Sequence, residues 1–121
     1  LNSGLYHYNI KKHELELLKR GDHRELVANA CLNQAIAYYA AVDFIWTAVI
    51  SRSKWKYLQR CYRYIYLDCG HVGQNFYLIA EALDLGACTI GAIYDEELND
   101  ILDIDGIKET AIYVGVVGPK K

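Results

Sequence analysis

Apolar positions along the chain change their period several times, and each change marks an element. Residues Gly4 to Asn9, GLYHYN, are rich in aromatics and predict a short strand. His13 to Arg20, HELELLKR, leads into Gly21, where a helix or turn would stop. Asp22 suits the N-cap of a helix over HRELVANACLNQ, in which Leu26, Val27, Ala30 and Cys31 recur at helical spacing. Val42 to Ile50, VDFIWTAVI, is apolar apart from Asp43 and Thr47, the pattern of a strand buried on both faces. Ser51 to Gln59 predicts a short basic helix. From about Cys61 to Leu85 the chain is apolar on most sides, which predicts a helix buried over much of its surface. In a small domain a partner subunit is one route to such burial. Gly86 ends that helix and opens GACTIGAI, a predicted strand. Asp95 to Leu102, DEELNDIL, predicts an amphipathic helix with acidic residues where the helix dipole favours them. Thr110 to Val117 predicts the last strand, stopped by Gly118-Pro119. Strands and helices alternate, so the class is α/β or α+β, with no internal repeat, linker or low-complexity segment.

Composition narrows the picture. A chain of 121 residues fits one domain, and an apolar fraction of 53% excludes disorder. The net charge of -2 supplies no general pull toward nucleic acid or an anionic membrane. Eleven tyrosines against two phenylalanines suit interfaces and semi-polar pockets, where the hydroxyl finds a partner. The cysteines at 31, 61, 69 and 88 form no CxxC pair, and no secretory signal or membrane-length apolar run accompanies them. Reduced thiols in a cytoplasmic protein are the expectation. The opening without methionine is that of a processed chain or of part of a longer one.

The centre of the long helix, LDCGHVGQN, is its strangest part. Each interior glycine costs about 1 kcal/mol relative to alanine, so Gly70 and Gly73 must use the space they leave. Asp68, His71 and Asn75 share one face, and Arg63, Gln74 and Glu81 another. The notch receives a flat ligand or second helix, or lets the helix pack tightly on its own sheet; periodicity favours the last. Gly86 and Gly91 lack the Lys-Ser/Thr of a phosphate-binding loop, and no GxGxxG occurs. Gly91 marks either a bulge or a ligand lying on the backbone. In RSKWKYLQRCYRY, Arg52, Lys54, Lys56, Arg60 and Arg63 alternate with aromatic residues. Such a run grips single-stranded nucleic acid or forms a solvated helix face, and the near-neutral charge favours the second. The histidines at 7, 13, 23 and 71 fit no metal spacing, and no GxSxG is present.

Four segments together resemble the nitroreductase superfamily, specifically its SagB-type flavin-dependent peptide dehydrogenases. They are GLYHYN, TAVISRSKWKYLQRCYRYIYLDCGHVGQNFYLIAEALDLGAC, TIGAIYDEELNDILDIDG and IYVGVVG. The resemblance implies an α+β nitroreductase-like fold, a mixed sheet with a long buried central helix, and an intertwined homodimer holding FMN at its interface. Gly70 and Gly73 would then allow close helix packing near the dimer axis. The resemblance also puts the backbone of Thr89, Ile90, Gly91 and Ala92 beside the isoalloxazine edge. It makes Lys56 and Tyr57 the catalytic pair of azoline-oxidising members, with Arg60 and Arg63 as neighbouring cations. It implies NAD(P)H as reductant if the substrate is a small electrophile instead.

Members of that branch begin with an arginine-rich segment that binds the FMN phosphate, and this chain does not contain it. Lys120 and Lys121 stand where a terminal basic phosphate ligand is often found. The expectation is a single nitroreductase-like domain over 1–121, acting on a peptide azoline or small electrophile without nucleic acid or membrane. The alternative is a non-catalytic dimerisation or binding module that has lost flavin.

Overall fold

The computed structural model describes residues 1–120; Lys121, expected among the phosphate ligands, lies outside the described residues. The chain opens on an antiparallel hairpin, β1 (Gly4–Asn9) with β2 (Glu14–Arg20). Leu15 and Leu17 of β2 stand opposite Tyr8 and Tyr6, so period-two alternation along HELELLKR is satisfied by pairing with β1 rather than by a helix. Helices α1 (Arg24–Ala30) and α2 (Ala35–Tyr39) follow. The expected single helix breaks at Leu32 and Asn33, both at positive φ. Asp22 stands one residue ahead of the cap position, and its Oδ1 accepts the Arg24 amide at 3.1 Å.

The central sheet contains β3 (Val42–Val49), β4 (Leu85–Ile90) and β5 (Glu109–Pro119) in the order β3-β5-β4. Both ladders are antiparallel. Where a mixed sheet is expected, β3 and β4 do point the same way, but β5 lies between them. Strand β5 runs through Gly118 to Pro119, which lies opposite Leu85 at the end of the ladder, where a missing N–H is tolerated. Between β3 and β4 come α3 (Ser51–Tyr57), a single 3₁₀ turn over Leu58–Arg60, and the 22-residue α4 (Cys61–Ala82). Helix α5 (Asp95–Leu102) connects β4 to β5.

Strand residues alternate between two packed layers. Val114, Val116 and Ile90 meet Val27, Ala28, Ala30, Cys31, Ala37 and Leu98 in one core, so α1, α2 and α5 cover that face. Small side chains there let short helices lie close. The other face, carrying Trp46, Tyr113 and Gly115, meets α4 through Phe76, with the Trp46 and Phe76 ring centroids 5.4 Å apart. Gly115 is obligatory in this layer, since a Cβ there would lie 2.5 Å from Trp46 Cη2. Strand β3 is an edge strand rather than one buried on both faces, and Val42 and Phe44 remain 50% and 44% exposed.

Helix α4 buries only Cys61, Ile65, Gly73 and Ala80 within the chain. Tyr66, Leu67, Leu78, Ile79 and Leu83 are each more than half exposed. The buried central helix is therefore buried on one face only.

Candidate functional site

Helix α4 and strand β4 meet through a compact hydroxyl cluster. Tyr77 Oη accepts the Thr89 amide at 2.7 Å and lies 3.0 Å from Thr89 Oγ1. The Tyr113 hydroxyl donates to the same Oγ1 at 2.7 Å. Thr89 thus joins a helix and two strands, and two of the abundant tyrosines find partners here. A Cβ at Gly73 would lie 3.0 Å from Tyr113 Cε1 and 3.6 Å from Thr89 Cγ2, so this glycine lets the helix reach the cluster. Gly70 is different: nothing lies within 4 Å of where its Cβ would be. It opens instead into a shallow recess of about 260 Å³ lined by Tyr66, Cys69, Ile112 and Tyr113. Burial pushes the Cys69 thiol pKa up, which keeps it protonated beside that recess.

The four expected flavin-edge residues stand at the end of β4. Ile90 is buried in the core, whereas Gly91 and Ala92 are exposed on irregular backbone that leaves the sheet. Because β4 is an edge strand, alternate backbone groups face away from β5. The Thr89 amide is one of these, and Tyr77 takes it. Gly91 follows two residues later on the same alternation, with only an ordinary 3.7 Å contact from a notional Cβ to Tyr113 Cε2. An open backbone with a glycine at its centre fits the edge of a flat ring. The lysine expected to bind phosphate fits less well. Lys120 Nζ is held by Glu81 at 2.9 Å and Asp84 at 3.1 Å, and these carboxylates push its pKa up. A phosphate would have to displace them.

Lys56 and Tyr57 lie elsewhere, on the exposed surface of α3. Lys56 Nζ sits 5.2 Å from the Tyr57 ring centroid, and that ring packs at 4.5 Å on Tyr64. Tyr64 to Gly73 and Tyr77 is about 14 to 20 Å of helix at 1.5 Å per residue. The residues expected as a catalytic pair and the strand end are therefore not brought together within one chain.

Two further features were invisible in the sequence pattern. Asp43, on the face of β3 that meets α1 and α2, has one carboxylate oxygen buried without a partner. Burial pushes its pKa up to about 6, only partly offset by the Arg24 charge. Cys31, nearby, is pushed up to about 11 by burial and then by Asp43. On α5, Asn99 is the buried polar residue that ties α5 to β5: its Oδ1 accepts the Ala111 amide at 2.8 Å and its Nδ2 donates to Thr110 at 3.2 Å. No group of side chains suited to a metal ion occurs among the described residues. No helix among them is long and apolar enough to cross a membrane.

Comparison with known proteins gives this geometry a context. The profile of the nitroreductase family matches residues 3–118. A Methanocaldococcus jannaschii protein that carries a provisional nitroreductase name is 33% identical over 120 residues, covering 99% of this chain and 59% of that protein. The trifolitoxin-processing protein TfxB of Rhizobium leguminosarum is 26% identical, over 97% of this chain and 32% of its own length. The chain therefore spans about a third to three-fifths of these relatives. Among solved structures, one from Anabaena variabilis, provisionally named a nitroreductase, superposes with a TM-score of 0.91 at 32% identity, over 100% of this chain and 25% of that one. The E. coli microcin synthetase McbBCD complex, with truncated pro-MccB17 bound, shares the fold at a TM-score of 0.83 and 18% identity, over 96% of this chain and 44% of its own.

Proposed function

We propose a flavin-dependent redox function for this chain, which belongs to the nitroreductase family: oxidation of azoline rings in a peptide, with FMN as electron acceptor. The observation that carries the reading is the exposed Gly91-Ala92 backbone at the free end of β4, anchored by the Tyr77–Thr89–Tyr113 hydroxyls. The likeness to TfxB, a trifolitoxin-processing protein, favours a peptide substrate over a small electrophile reduced by NAD(P)H.

When bound, FMN supplies a two-electron acceptor for hydride. The backbone of Gly91 and Ala92 would hold the edge of its ring, and Thr89 would keep that backbone in place through Tyr77. An azoline that becomes an azole loses one hydride and one proton. Lys56 Nζ would be the group that takes the proton, with the face of the Tyr57 ring beside it. The distance along α4 between Lys56 and the strand end requires a second subunit: one chain's α3 would face the other's β4. A homodimer is thus part of the proposal.

The test is FMN titration of the purified protein, followed by gel filtration and a visible spectrum. A flavin band retained in a dimer fraction supports the reading, and Lys56→Ala should then keep flavin but lose azoline oxidation. Absence of retained flavin at saturating FMN overturns it.

A further inference from the structure

The basic and aromatic residues of α3 and the start of α4 form a surface of which the redox proposal uses Lys56 and Tyr57 only. We propose that this surface binds an acidic peptide segment carrying apolar residues. No acidic residue occurs between Asp43 and Asp68, while Arg52, Lys54, Lys56, Arg60 and Arg63 fall in that interval and are all exposed. None of the five is in an ion pair among the described residues. Elsewhere the chain pairs its cations freely, as Lys19 does with Asp103 and Lys120 with Glu81. A cluster of unpaired like charges repels itself, and an incoming carboxylate relieves that repulsion.

Apolar groups are set among these charges. Trp55 is 77% exposed and Leu58 is 69% exposed. The Trp55 indole N–H is already satisfied by the Arg52 carbonyl at 3.0 Å, which fixes the ring's orientation and leaves its face to a ligand. Leu58 has φ 51° and ψ -131°, a conformation that strains any residue with a Cβ. The strained turn sets Leu58 beside the cations rather than in the core. Arg60, in the 3₁₀ turn, and Arg63, in the first turn of α4, lie on the side away from the buried Cys61 and Ile65, so the charge continues onto α4.

Charge complementarity selects the partner. Planar guanidinium groups of Arg52, Arg60 and Arg63 match carboxylates in two-pronged pairs, and Trp55 and Leu58 would seat leucine or phenylalanine side chains between them. Nucleic acid fits less well, since 15 acidic residues against 13 basic ones make the rest of the chain repel a long polyanion. The binding step needs no flavin, so it is tested separately from the redox proposal, whose Lys56 and Tyr57 border the same surface.

The experiment is fluorescence anisotropy with a short labelled peptide of Asp, Glu, Leu and Phe, at low salt. Its controls are the same peptide with Lys in place of the acids, and single-stranded DNA of similar length. The expected result is saturable binding of the acidic peptide only, with quenching of Trp55 fluorescence. Combined Arg52→Glu, Arg60→Glu and Arg63→Glu should weaken it by more than about tenfold, and Trp55→Ala by roughly tenfold. Lys11→Glu, a charge reversal in the exposed turn of the β1–β2 hairpin, should leave it unchanged. Tighter binding of DNA, binding of the Lys peptide, or equal loss in Lys11→Glu would each overturn the proposal. So would no binding at all. Circular dichroism of the variants excludes misfolding, and Arg60→Lys with Arg63→Lys should lose less than the Glu variants, since the charge is kept and only the two-pronged pairing is lost.

Discussion

Asp43 sits among small apolar side chains on the face of β3 that meets α1 and α2, with one oxygen unpartnered. Its pKa in the folded protein is raised from 3.8 to about 6 by burial. Folding therefore binds its proton more tightly than the unfolded chain does. The stability it allows is full below 3.8, declines as pH rises to about 6, and stays reduced above that. Asp43→Asn abolishes the titration and should stabilise the protein at neutral pH by about 1 kcal/mol, after allowance for partial solvent screening. Denaturant midpoints of wild type and variant across that interval check this: the gap should open as pH rises, and a constant gap would remove Asp43 as its source. Asn99 points the other way. Asn99→Ala leaves the Ala111 amide and Thr110 hydroxyl without partners beneath α5 and should cost about 2 kcal/mol, read from the same midpoints.

At the scale of elements, the two glycines of α4 separate two uses of space. Gly73→Ala would press on the Tyr113 ring at 3.0 Å and disturb its bond to Thr89, so about 1 kcal/mol of stability should be lost. Gly70→Ala meets nothing within the chain and should gain up to about 1 kcal/mol in helix propensity. Thermal unfolding of the two variants distinguishes them, and equal losses would place a neighbour over Gly70. The long helix, the basic helix and the last strand were legible because their apolar runs are long and bounded by charge or glycine. The second strand of the hairpin was not: Glu, Leu and Lys are good helix formers, and only the pairing with Tyr6 and Tyr8 decides the matter. Helix α2, at five residues, is too short to show a period. The expectation for Thr89–Ala92 came from the resemblance, since Gly91 alone left a bulge and a ligand both open, and the carboxylates that occupy Lys120 come from 36 and 39 positions earlier in the chain. Tyr77 and Tyr113 carried no signal beyond the abundance of tyrosine.

For the whole molecule, the decisive quantity is apolar surface left on α4. Leu67, Leu78, Ile79 and Leu83 are each 54% to 63% exposed, around a helix that the chain itself covers on one side only. Exposed apolar side chains of that number on an isolated domain mark a binding surface or a route to aggregation. The separation of Lys56 from the strand end points the same way, since the proposed chemistry needs both within reach of one substrate. The expected state is a dimer buried along α4, sedimenting as such at micromolar concentration. Leu78→Glu with Leu67→Glu would place two charges in that interface and should shift the protein to monomer, while leaving the Tyr77–Thr89–Tyr113 cluster and the fold intact. Flavin retention should fall with the dimer, because in the proposed arrangement each chain supplies one half of the site. A wild-type protein that sediments as a well-folded monomer yet retains FMN would show that one chain holds the cofactor by itself. The assembly and the placement of Lys56 in it would then both be wrong.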